Sequence, residues 1–159
     1  GFIEDYTGIT NRMLRAAPSC RTVMAGLADF IANHDLVAHN ASFDQRFLDA
    51  ECQRIRRHYV GSFACSMLAA RRVYPDAPNH KLGTLVTFNQ LPTSGTFHRA
   101  LADAEMTAHL WLGMLKDIRD QYRIRHIPFS LMQALTRVPK AAAGRFLAQC
   151  EDGARMRPF

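Results

Sequence analysis

Leu36-Val37-Ala38-His39-Asn40-Ala41-Ser42-Phe43-Asp44 joins a short apolar run directly to the opening of a helix. Asn33-His34-Asp35 is a turn signal, so the apolar Leu36-Val37-Ala38 after it predicts a short buried strand. Ser42, with Gln45 three residues later, predicts a capping box, and Phe47, Leu48, Cys52 and Ile55 supply the helix with an apolar stripe. A strand passing at once into a helix is the unit of an α/β fold with a parallel sheet.

Working outward, Thr10 predicts an N-cap for a helix through Ala16, which Ala17-Pro18-Ser19 interrupts. Val23, Met24, Leu27, Phe30 and Ile31 recur at helical spacing in the next segment. Downstream, Tyr59 to Ala64 predicts a second strand and Ser66 to Val73 a helix, which Pro75 prevents from continuing. A loop to His80, a helix from Lys81 to Phe88 and a loop from Gln90 to Phe97 follow. The strongest helical pattern runs from Arg99 to Lys116, with Leu101, Ala104, Ala108, Trp111, Leu112 and Leu115 expected on its apolar face. Beyond Tyr122 come a helical stretch from Ser130 to Thr136, Pro139, and another from Ala141 to Gln149. Two apolar strands are too few for a stable parallel sheet, so further strands are expected before Gly1.

The chain has 159 residues, 48% of them hydrophobic and 21% charged, which suits a globular protein with a core of its own. No apolar run approaches a membrane span and the first residues lack a signal-peptide pattern, so a cytoplasmic protein with no membrane partner is expected. Cys20, Cys52, Cys65 and Cys150 include no Cys-x-x-Cys and read as idle thiols, not as a zinc or disulfide framework. The net charge of +6 favours a polyanionic partner. Arg54/Arg56/Arg57/His58, Arg71/Arg72 and Arg119/Arg123/Arg125/His126 fit that role, or equally a solvated helix face.

Two carboxylates stand out. Asp44 falls in the first turn of a helix, where the macrodipole favours an acid in any case, and also at the carboxyl end of a strand, where open α/β sheets place their sites. Asp103 lies five residues after His98, a separation of about 140° on a helix, so the two converge only if His98 belongs to the preceding loop. A loop histidine beside a helix-borne carboxylate suits a general base next to a metal, although a loop His and an exposed Asp are each commonplace.

Together these stretches resemble a known family. Val37-Ala38-His39-Asn40-Ala41-Ser42-Phe43-Asp44 is similar to the second motif, and His98-Arg99-Ala100-Leu101-Ala102-Asp103-Ala104 to the third, of the DEDDh 3′–5′ exonucleases, the DnaQ-like group that includes the proofreading epsilon subunit of bacterial DNA polymerase III. Thr7-Gly8-Ile9-Thr10-Asn11-Arg12-Met13-Leu14 matches the segment before the family's first helices, and the resemblance spans about Phe2 to Lys116. It implies an RNase H-like exonuclease fold that hydrolyses terminal phosphodiester bonds with two Mg²⁺ or Mn²⁺ ions. By the family pattern Asp44 and Asp103 are metal ligands, His98 is the base, and Thr7, Gly8, Ile9, Thr10, Asn40 and Phe43 contact the terminal nucleotides.

The implied partners are single-stranded or frayed 3′ ends of DNA, with RNA as an open alternative, and a DNA polymerase. The family's first motif, Asp-x-Glu on the first strand, is not found here. Asp49-Ala50-Glu51 and Asp103-Ala104-Glu105 have its letters but fall within helices. The expectation is therefore an exonuclease portion over residues 1–121, whose first motif lies upstream, and a helical extension of unknown role over 122–159. The rivals are a catalytically inactive nucleic-acid-binding module that retains the fold, and an interaction domain that docks a partner through Pro128 to Met132.

Overall fold

The computed structural model describes residues 2–92 and 100–150. Three helices come first: α1 (Phe2–Thr7), α2 (Asn11–Ala16) and α3 (Cys20–Ile31). Thr10 caps α2 as its residue type predicts, its Oγ1 accepting from the Met13 N–H at 3.2 Å. Ser19, which the sequence marks only as part of a break, caps α3 in the same way through the Thr22 N–H. Helix α1 has no counterpart among the sequence expectations.

Strand β1 (Leu36–Ala38) and helix α4 (Ser42–Arg54) follow, then β2 (Phe63–Cys65) and α5 (Ser66–Val73). The strands are parallel, with Leu36 opposite Phe63, Val37 opposite Ala64 and Ala38 opposite Cys65. Their entry is pinned by side chains: Asp35 Oδ1 accepts from the Ser62 N–H, and the Tyr59 hydroxyl donates to the His34 carbonyl at 2.6 Å. α5 has the predicted bounds, whereas β2 shares only Phe63 and Ala64 with the expected strand and runs on to Cys65.

Two local expectations are corrected at the β1–α4 junction. The helix begins one residue early, with Ala41 as a helical N-cap that offers no side-chain bond, so Ser42 lies inside the first turn and the capping box does not form. The left-handed φ of 70° at Asn40 makes the turn abrupt enough to do this, and Asn tolerates that conformation. β1 is half-buried along its whole length, not fully buried, because its edge away from β2 has no strand partner among the described residues.

The remainder is helical: α6 (Leu82–Phe88), α7 (Ala100–Tyr122), α8 (Phe129–Arg137), a 3₁₀ turn (Lys140–Ala142) and α9 (Ala143–Ala148). α7 runs past the expected end at Lys116, and its buried face also differs from the one expected. Ala102, Met106, Leu110, Met114 and Ile118, at i, i+4 spacing, point inward, while Leu101 and Leu112 are 74% and 62% exposed. The helix is apolar around much of its circumference, so periodicity alone does not choose its inner face. Trp111 and Leu115 lie at the margin, half-buried against the core.

One core gathers Leu110, Met114 and Ile118 of α7 with Ala69 and Ala70 of α5, Leu85 of α6, Leu131, Met132 and Leu135 of α8, and Leu147 of α9. Residues 129–148 thus share a core with the helices that precede them. A smaller core, Met24, Ile31, Leu48, Cys52 and Tyr59, sits between α3, α4 and the sheet. No helix among the described residues is long and apolar enough to cross a membrane, and all four thiols are free.

Candidate active site

The end of β1, the first turn of α4, the entry to α6 and the outer face of α7 enclose a cleft of about 1180 Å³. Asp44 and Asp103 both line it. Each stands in the first turn of its helix, so two helix N-termini and two carboxylates, separated by more than fifty positions of sequence, meet around one space. Asp44 is exposed and Asp103 half-buried, so both oxygen sets are open to a ligand. Carboxylate oxygens are hard donors suited to Mg²⁺ or Mn²⁺. Among the described residues no cluster of three or more His, Cys, Asp or Glu side chains is assembled.

His98 lies outside the described residues. Asn40 and Phe43 flank the cleft without lining it. Phe43 is 64% exposed at the start of α4 and stacks on Phe47, with centroids 6.4 Å apart and planes 17° from parallel. Phe47, expected in the apolar stripe of α4, is instead mostly exposed, and the stripe that reaches the core is Leu48, Cys52 and half-buried Ile55. Thr7, Gly8, Ile9 and Thr10 form the link between α1 and α2, with Gly8 at φ 71° and the Ile9 N–H donating to Thr7 Oγ1. None of these four residues lines the cleft.

Of the acidic pair Asp49 and Glu51, both within α4, Asp49 is exposed and Glu51 is structural. Glu51 is buried in α4, where it accepts from Arg54 at 2.7 Å, and the Cys20 thiol donates to its other oxygen at 3.5 Å. The Glu51 carboxylate is the first cause of the upward shift of that thiol's pKa.

Two cleft residues escape the sequence reading. Lys81, exposed at the N-cap of α6, brings a cation into the same space as the two acids. His39 closes the end of β1, with Nδ1 2.9 Å from Ser66 Oγ and Nε2 2.9 Å from the His80 carbonyl. Its burial lowers its pKa, so the neutral ring is the form favoured here. A histidine at the carboxyl end of a sheet strand was the available signal; its two partners lie too far along the chain to be paired with it by spacing.

Residues 2–111 match the RNase T family, described as exonuclease. The chain is 36% identical over 125 residues to the PolC-type DNA polymerase III of Halalkalibacterium halodurans and 35% identical over 125 residues to that of Bacillus subtilis, matches that cover 78% and 75% of this chain. They cover 9% and 8% of those polymerases, so the chain spans less than a tenth of the length of these relatives. Among solved structures, Exonuclease X in complex with 5′ overhanging duplex DNA superimposes with a TM-score of 0.59 at 25% identity, over 84% of this chain and 71% of that one. The fold is the RNase H-like exonuclease fold, here mostly helical around a small parallel sheet. With the family's profile covering residues 2–111, most of its length, the chain belongs to the RNase T exonuclease family.

Proposed function

We propose that this chain is the part of a metal-dependent 3′–5′ exonuclease, of the DEDDh type, that carries its second and third motifs. The observation that carries this reading is the meeting of Asp44 and Asp103 in one cleft, from elements that family resemblance alone marks as metal-bearing. Asp44 and Asp103 hold the cations, and His98, five residues before Asp103, accepts the proton of the attacking water. Divalent cations bound to such acids, two Mg²⁺ or Mn²⁺ in this reading, supply activation of that water and neutralise charge on the leaving 3′ oxygen. Asn40, Phe43 and the Thr7, Gly8, Ile9, Thr10 segment contact the terminal nucleotides, with Phe47 extending the aromatic surface that Phe43 offers to a base.

The remaining ligands come, in this reading, from a strand that adds to the open edge of β1 and carries an Asp-x-Glu pair. The β1 edge that has no strand partner among the described residues, and the half-burial of β1, support that position. Residues 1–121 are then the exonuclease portion and 122–159 an extension, of which Leu131, Met132, Leu135 and Leu147 pack into the shared core. The substrate is the 3′ end of DNA, single-stranded or frayed, and the setting is proofreading beside a polymerase in the cytoplasm; relatives that are DNA polymerases and a structural neighbour in complex with 5′ overhanging duplex DNA support DNA over RNA and a polymerase as partner.

A 3′-labelled oligonucleotide, digested by the complete protein with Mg²⁺ or Mn²⁺ and with a chelator, tests this. Asp44→Asn and Asp103→Asn are each expected to lower the rate by about 10³-fold or more, since each removes a charge worth several kcal/mol in the transition state. His98→Ala is expected to cost about 10²–10⁴-fold with smaller effects on DNA binding. Digestion that survives the chelator, or either Asn variant at full rate, sinks the assignment. No digestion by the intact protein in Mn²⁺ would favour the inactive binding module instead.

A further inference from the structure

The cleft has two walls that the sequence keeps far apart. One is the β1–α4 turn, which passes through left-handed Asn40 and aims Asp44. The other is the loop leading to α6, where the Lys81 N–H is held by Asn79 Oδ1 at 3.0 Å and the Lys81 side chain lines the cleft. A single imidazole touches both. His39 Nε2 donates to the His80 carbonyl, which can only accept, so Nδ1 of the neutral ring accepts from the hydroxyl of Ser66, a fully buried residue at the start of α5. That hydroxyl has one hydrogen, and its other neighbour, the Ala38 carbonyl, is farther away at 3.3 Å. The ring of His80 is engaged in turn, Nε2 lying 3.0 Å from the Tyr74 carbonyl, and the Tyr74 hydroxyl donates to Asp117 on α7 at 2.6 Å. Bonds of this kind therefore run from the β1 end, through the α6-entry loop, to the helix that bears Asp103.

We propose that His39 is a positioning residue for the hydrolysis: it ties the turn that aims Asp44 to the loop that carries Lys81, and so sets the spacing of the two cleft walls. This rests on the exonuclease reading above. The imidazole is suited to the task because it offers a donor and an acceptor at opposite ends of a rigid ring. Its removal leaves the His80 carbonyl without its donor and lets the Ser66 hydroxyl turn back to Ala38. Both walls are then free to drift by a fraction of an ångström, a displacement that matters to a reacting phosphate and little to the overall fold.

The experiment uses the complete protein, with kcat and KM on a 3′-labelled oligonucleotide, the half-saturating Mn²⁺ concentration and the Tm measured for wild type, His39→Ala, His39→Gln and Ser66→Ala. His39→Ala is expected to lower kcat about 10–100-fold and raise the half-saturating Mn²⁺ concentration by a similar factor, with KM for DNA little changed, as for groups that orient the residues of a metal site. His39→Gln, whose amide can keep one of the two bonds, is expected to recover part of both losses, and Ser66→Ala to show a smaller loss of the same kind. A lower Tm with kcat and Mn²⁺ dependence unchanged per folded molecule overturns the proposal, since a merely structural histidine would do only that. Should His39→Ala not fold, unchanged kcat and Mn²⁺ dependence in both His39→Gln and Ser66→Ala overturn it equally. A wild type that digests nothing overturns the exonuclease reading and this inference with it, whereas an active wild type with unaffected variants overturns the inference alone.

Discussion

The two sides of the sheet are finished differently. Beyond β2, α8 closes the layer: Gln133 donates to the Phe63 carbonyl at 2.8 Å, and Met132 and Leu135 are wholly buried against α5 and α7. Beyond β1 the apolar surfaces stand open. Val23, Leu27 and Phe30 of α3 are exposed, Phe30 by 83%, and Leu101 and Leu112 of α7 are exposed as well. The amphipathic signal is as plain in α3 as in α8, so pattern strength does not separate them; what differs is whether another element arrives to cover the stripe. The closed side is the scaffold, and the open side carries the acids and a β1 edge that, among the described residues, has no strand partner and could take a further strand.

This contrast can be broken most sharply in the closed core. Met132→Ala or Leu135→Ala is expected to cost about 2–5 kcal/mol, because a cavity is left where no neighbour can collapse. Urea unfolding of the chain measures it. Phe30→Ser and Leu112→Ser are expected to change stability by less than about 0.5 kcal/mol in the same chain. A loss at Leu112 equal to that at Leu135 would mean that the open side is closed in solution.

Between these extremes lies the strand entry. A Cβ at Gly61 would overlap the Tyr59 hydroxyl and the His34 carbonyl, so Gly61→Ala is expected to break that hydrogen bond and cost about 1–3 kcal/mol. Wild-type stability in Gly61→Ala would show that the entry to β1 adjusts freely. Gln133→Ala should cost about 1 kcal/mol through the bond to Phe63, and a cost near zero would leave apolar packing as the sole closure of the β2 edge.

The smallest expected effect is a pH dependence on the open side. Burial, aided by the charge of neighbouring His80, holds the His39 pKa below its ordinary 6.5, so the unfolded chain binds the proton more readily than the folded one. Its contribution is complete above pH 6.5 and is lost as the pH falls toward the lowered value. Urea midpoints between pH 7.5 and 5.5 should decline less in His39→Gln than in the wild type, and parallel declines would remove His39 as the cause.

Local chemistry sufficed for much of the fold. The Thr10 cap, the bounds of α5 before Pro75 and the strand–helix succession at Leu36–Asp44 depend on neighbours in sequence, and each is present. Family resemblance singled out Asp44 and Asp103, and both face the cleft; His98 lies beyond the described residues. The Ser42 capping box failed because Asn40 turns the chain left-handed and starts α4 a residue sooner.

Capping preference, proline stops and periodicity are written in adjacent residues, so the order of the elements after α1 could be read from the sequence. Tertiary structure alone decided which face of the broadly apolar α7 is inside, which edge of the sheet is covered, and that His39 bridges Ser66 and His80. These outcomes join residues tens of positions apart. Such pairs are selected by the burial of shared surface and the satisfaction of buried polar groups, and neither quantity exists until the elements have packed.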